Sequence, residues 1–131
     1  MRCLFLIVLL LAWPSLPVRA GDVQSVFTAF IQQGDVWQVS TTLRHEDIGW
    51  EHYADAWRVV DEGGRVLGMR ELLHPHKNEQ PFTRSLGGVV IPPETHIVYV
   101  EAHDKVHGWS PQRLRVDLRQ HRGARFQVQK K

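Results

Sequence analysis

The chain has 131 residues, 43% of them hydrophobic, with 16 Lys/Arg against 14 Asp/Glu, which is enough for one domain. Arg2 and Arg19 fall within the first twenty residues, so the remainder carries 14 residues of each sign and is formally neutral. That neutrality argues against nucleic-acid binding, which needs a basic face.

Fifteen of the first twenty residues are apolar; Arg2 precedes the run, Pro14 and Pro17 break it, and Val18 and Ala20 are small. The pattern predicts a Sec-type signal peptide over residues 1–20, cleaved between Ala20 and Gly21, and hence a periplasmic or secreted protein. The run is too short to cross a bilayer and no second one follows, so no membrane span is expected. Cys3 lies in the leader rather than beside the cleavage point, which argues against lipid anchoring. Residues 21–131 contain no cysteine, which excludes disulfide chemistry, a cysteine nucleophile and thiolate ligands there.

The remaining residues alternate with a period of two. Along 23–32, Val23, Ser25, Phe27, Ala29 and Ile31 are placed on one face against Gln24, Thr28 and Gln32, although Val26 and Phe30 blur the second face. Beyond the turn at Gln33-Gly34-Asp35, Trp37, Val39, Thr41 and Leu43 alternate with Gln38, Ser40, Thr42 and Arg44, a half-buried strand. A third strand at 56–60 meets a fourth at 66–73 through Glu62-Gly63-Gly64-Arg65, where glycine supplies positive φ. A fifth spans 82–91 and stops at Pro92-Pro93; Ile97-Val98-Tyr99-Val100 is a sixth. In the seventh, Leu114, Val116 and Leu118 alternate with Arg113, Arg115, Asp117 and Arg119. Residues 113–131 carry seven Lys/Arg and one acid, read as a solvated basic last strand and tail. Seven strands at this spacing, with no helix, predict an all-β, immunoglobulin-like seven-stranded antiparallel β-sandwich forming a single domain over 21–131.

All eight histidines follow the leader. In an antiparallel succession the second, fourth and sixth strands run toward one end, so the loops that follow them meet at one pole. His45 and His52 belong to the first of those loops, His74 and His76 to the next, His103 and His107 to the last; His96 and His121 belong to the other end. Neutral imidazoles converging on a point suit a borderline divalent metal, and His74-Pro75-His76 is an i, i+2 pair that extended chain holds on one face. The candidate ligands are His52, His74, His76 and His107, with His45, His103 and Asp104 beside them. Glu46, Asp47, Glu51 and Glu79 are further carboxylates able to ligate or to orient rings. Without sulfur, copper, zinc and iron all suit such a set, and the affinity order favours copper.

The same residues have structural readings. His45 continues the apolar face of Trp37, Val39 and Leu43, as a core histidine bonded to backbone would. His-Pro-His can be a rigid turn, and His103-Asp104 can cap its loop. Trp37 and Trp57 read as core residues, whereas Gly49-Trp50 and Gly108-Trp109 end the histidine loops and read as indole walls around the cluster.

The strings Gly49-Trp50-Glu51-His52-Tyr53-Ala54-Asp55-Ala56-Trp57, His74-Pro75-His76, Glu79-Gln80-Pro81-Phe82-Thr83-Arg84-Ser85 and Ala102-His103-Asp104-Lys105-Val106-His107-Gly108-Trp109 resemble a family of small secreted proteobacterial proteins of unknown function. Locally, His52-Tyr53 followed by Trp57, and His107-Gly108-Trp109, are similar to segments around the iron centre of the desulfoferrodoxin and superoxide reductase domain. That resemblance implies a seven-stranded sandwich with four histidines and an axial cysteine at one pole. Asp104 stands where the cysteine would be, which removes the thiolate that tunes such an iron. Three functions follow as expectations: a metal-binding sandwich, a non-metal module using the same loops to hold a periplasmic protein partner or small ligand, and a superoxide-reductase-like redox enzyme lacking the axial cysteine.

Overall fold

A computed structural model describes residues 21–131; the expected signal peptide at 1–20 lies outside the described residues. Nine strands form in chain order: β1 (Gln24–Gln33), β2 (Val36–Arg44), β3 (Ala54–Asp61), β4 (Val66–Glu71), β5 (Phe82–Val89), β6 (Ile97–Asp104), β7 (Gly108–Trp109), β8 (Leu114–Asp117) and β9 (Phe126–Gln129). They make a four-stranded sheet ordered β5-β2-β1-β9 and a five-stranded sheet ordered β4-β3-β6-β7, with β8 also paired to β6. All pairings are antiparallel except β1 with β9. The chain is thus an all-β sandwich. Among the described residues no helix is long and apolar enough to cross a membrane.

The two inner faces share one core. Trp37, Val39 and Leu43 of β2 and Phe30 of β1 meet Trp57 and Val59 of β3, Val98 and Val100 of β6, and Leu114 and Val116 of β8. Phe30 and Trp37 pack edge to face with centroids 6.3 Å apart. The alternation read along β2 is the observed one: Trp37, Val39, Thr41 and Leu43 are buried, and their neighbours face out.

Two expectations need correction. In β1 the pairing register shifts between Ser25 and Phe27, so Ser25, Thr28 and Phe30 are buried while Phe27, Ala29 and Ile31 are only half-buried. A bulge adds one residue and exchanges the two faces beyond it. Thr28 is accommodated inside because its hydroxyl bonds that of Thr41 at 3.0 Å. Among the described residues the strands number nine rather than seven: the tail forms β9 through buried Phe126 and Val128, and Gly108–Trp109 pairs with the end of β6.

Trp57 is fully buried, so Trp57→Ala should cost about 3–5 kcal/mol of unfolding free energy through lost transfer and cavity terms. Denaturant titration reads this directly; a loss below about 1 kcal/mol would mean that the core closes around the gap.

Candidate functional site

The loops after β2, β4 and β6 meet at one pole, and two buried carboxylates organise them. Asp47 lies just past β2 and has no exposed side-chain surface. Its Oδ1 accepts the Ala54 amide at 3.1 Å and lies 2.5 Å from His45 Nδ1. Its Oδ2 accepts the His76 amide at 2.7 Å. Gln80 adds a second tie, accepting from the His45 amide at 3.0 Å and donating to the His76 carbonyl at 2.9 Å.

Asp104, at the end of β6, is the other carboxylate and is fully buried. Its Oδ1 accepts the amides of Val106 (2.9 Å) and His107 (2.7 Å), so it caps the β6–β7 turn as read from the sequence. Burial opposes its ionisation. The two amides and the nearby His107 and His45 rings outweigh that and hold the carboxyl below its ordinary range.

Three imidazoles surround Asp104. His107 Nδ1 is 3.1 Å from Oδ1 and His52 Nε2 is 3.3 Å from it. The His45 and His52 rings stand 4.8 Å apart, and His52 and His107 5.1 Å apart, centroid to centroid. Ligand atoms of His45, His52 and Asp104 all lie within 4.8 Å of one another, as do those of Asp22, Asp104 and His107. Buried groups of this composition could hold a metal ion.

Two details bear on whether they suit one. His52 Nε2 is buried and makes no hydrogen bond, although Asp104 Oδ1 lies 3.3 Å away. His45 Nδ1 faces Asp47 Oδ1 while its Nε2 stands 2.8 Å from the Gly21 carbonyl oxygen. A neutral ring has one N–H for these two acceptors. The second contact calls for another proton or for a shared cation.

The structure divides the sequence-derived candidates. His45, His52, His107 and Asp104 come together; His74, His76 and His103 stand outside that cluster. Arg84 donates to His76 Nε2 at 2.9 Å, which occupies the lone pair a metal would need, and the ring stacks on Phe82 with centroids 4.0 Å apart. His74 is exposed and leans on His76. His103 Nδ1 lies 2.5 Å from Asp55 Oδ1, in a separate cleft of about 300 Å³ with Tyr53, Met69, Leu73 and Trp109. Glu46, Glu51 and Glu79 are exposed. The indole walls are not where they were expected: Trp50 is 65% exposed, and Trp109 packs on His103 and under the Arg58 guanidinium.

Asp22 was missed by the sequence reading. The signal was available in the β1–β2 pairing, because Gln24 opposes Arg44. An antiparallel pair brings residues 21–23 beside His45.

No family model matches the chain. It is 44% identical over 84 residues to a protein of Halomicrobium mukohataei named "Putative lipoprotein", a match covering 64% of this chain and 41% of that protein. The chain therefore spans about two fifths of the length of that relative. The crystal structure of a hypothetical protein from Pyrococcus horikoshii OT3 superposes with a TM-score of 0.46 at 18% identity, over 76% of this chain and 94% of that one.

Burial, the Arg84 guanidinium and the His74 ring together lower the His76 pKa from 6.5. The native ring stays neutral where the unfolded one takes a proton, so native stability is full above about pH 6.5 and falls below it. Replacing His76 with Gln, whose carbonyl still accepts from Arg84, should flatten the acid-side decline measured by denaturant unfolding. Parallel profiles for the two proteins would show that the buried ring titrates as a free one does.

Proposed function

We propose that the protein is an extracytoplasmic metal-binding β-sandwich whose ion is held by His45, His52, His107 and Asp104, with Asp22 alongside. The observation that carries this is the buried His45–His52–Asp104 group, whose ligand atoms lie within 4.8 Å of one another. Copper, zinc and iron suit nitrogen and oxygen donors, and the affinity order favours Cu(II). The His45–Asp47 contact supports the reading, since ligating imidazoles commonly donate their other ring N–H to a carboxylate, which fixes the tautomer. Extracytoplasmic placement rests on the leader pattern of residues 1–20 and on the name of the Halomicrobium mukohataei relative.

A second reading has its own observation. Ile48, Trp50 and Val106 are 67%, 65% and 60% exposed and border an open depression that reaches His52. An exposed apolar rim of this kind suits a protein or ligand partner, with the histidine cluster at its edge. A superoxide-reductase-like redox centre is a third reading, in which the Asp104 carboxylate would take the place of the thiolate. Redox cycling of bound iron separates it from simple binding.

Calorimetric titration of the metal-free chain with Cu(II) and Zn(II) should show one ion per chain. The pair His52→Ala and His107→Ala should abolish stoichiometric uptake, whereas His74→Ala, His96→Gln and His121→Gln should leave it unchanged. Loss of uptake in His74→Ala would move the site to the β4–β5 loop. Binding no tighter than micromolar in the parent chain would transfer the reading to the partner module.

A further inference from the structure

Residue 21 sits against all three histidines of the cluster. Its carbonyl oxygen is 2.8 Å from His45 Nε2. A Cβ at this position would stand 3.0 Å from His107 Cε1 and 3.6 Å from His52 Cε1. Its φ of 97° is one that L side chains rarely adopt. Only glycine fits there, and its carbonyl lies within reach of the cluster's donors.

The leader pattern puts cleavage at the Ala20–Gly21 bond. Before cleavage the nitrogen of Gly21 is an amide whose lone pair is delocalised into the Ala20 carbonyl. Hydrolysis with one water leaves a carboxylate on Ala20 and a primary amine on Gly21. We propose that this α-amino nitrogen is itself a metal donor, completing the site with His45, His52, His107 and Asp104, and that leader removal therefore switches the protein to its high-affinity form. The inference rests on the metal reading of the cluster.

The chemistry is that of a chelate. The amine and the carbonyl oxygen of Gly21 close a five-membered ring on one ion, and the ammonium proton is released to solvent as the metal binds. Two donors with bonds of about 2.0–2.1 Å at a right angle lie roughly 2.9 Å apart. The spacing of 2.8 Å between His45 Nε2 and the Gly21 oxygen matches that edge. The same cation would supply what the two facing acceptors lack.

The test compares a chain beginning at Gly21 with one that retains Ala20; both keep every described strand. Cu(II) and Zn(II) alone are the probes. The chain beginning at Gly21 should bind Cu(II) at least about tenfold more tightly, since losing even a group that only orients a ligand costs about 10–100-fold. Labelling its glycines with ¹⁵N should alter the nitrogen hyperfine pattern of the bound Cu(II), and the same label in the Ala20 chain should not. The full chain recovered after export should begin at Gly21 by mass. Equal affinities with no label effect would overturn the inference and leave the metal reading standing. A different exported terminus would also overturn it. If neither chain binds metal, the metal reading fails and takes the inference with it.

Discussion

The pole depends on the Asp47 carboxylate. A buried carboxylate costs several kcal/mol in desolvation, and hydrogen bonds to a charged group return about 1.5–3 kcal/mol each. Asp47 receives the Ala54 and His76 amides and faces His45 Nδ1, so the return is on the scale of the cost. What these contacts fix is geometry. One side chain ties the end of β2, the start of β3 and the β4–β5 loop together, and it aims His45 Nε2 at the cluster. Asp104 does the equivalent for the β6–β7 turn. Each carboxylate holds a loop through backbone amides and presents an imidazole, so the site is built on the same bonds that shape the pole.

The sandwich contributes direction. β1 runs antiparallel to β2, which returns residues 21 and 22 to the end where His45 lies. β3 pairs with β6 so that Ala54 opposes Asp104, which brings the two carboxylate-bearing loops side by side. The apolar side chains of this pole are arranged outside the cluster rather than over it. Trp50 and Ile48 face solvent, while Trp109 belongs to the Arg58 and His103 surface. His45 and Asp104 are kept from water by their own burial, while His52 and His107 stay partly exposed.

Much of this was legible in residue order. The strict alternation of β2 predicted its buried face side chain by side chain, because nothing interrupts the pleat there. Convergence of the three histidine loops followed from strand direction alone. The misses have physical causes. The β1 bulge reverses the inward set after Ser25, and no residue type marks it. β9 is four residues long, too short for its Phe126 and Val128 alternation to stand out from a basic tail. His76 looked like a ligand by spacing, but Arg84 occupies its lone pair, and that contact joins the β4–β5 loop to β5 across eight residues. Asp22 required combining a carboxylate with the pairing of a strand that had not begun.

The charge of the cluster explains why such an arrangement is tolerated in a protein interior. Asp104 is held ionised, and Asp22 lies beside it with Oδ1 3.9 Å from His107 Nδ1. Carboxylates and imidazole lone pairs crowded this closely repel one another unless positive charge enters among them. Protons on the rings can supply that charge, and so can one divalent ion. The two are alternatives at the same atoms, since a ring nitrogen that binds a metal cannot carry a proton. Loading a metal would therefore release protons, while the hydrogen bonds that the Asp47 and Asp104 carboxylates accept from backbone amides stay as they are. The loops are pre-shaped by the bonds that do not change, and only the light occupant of the cluster, proton or ion, needs to be exchanged.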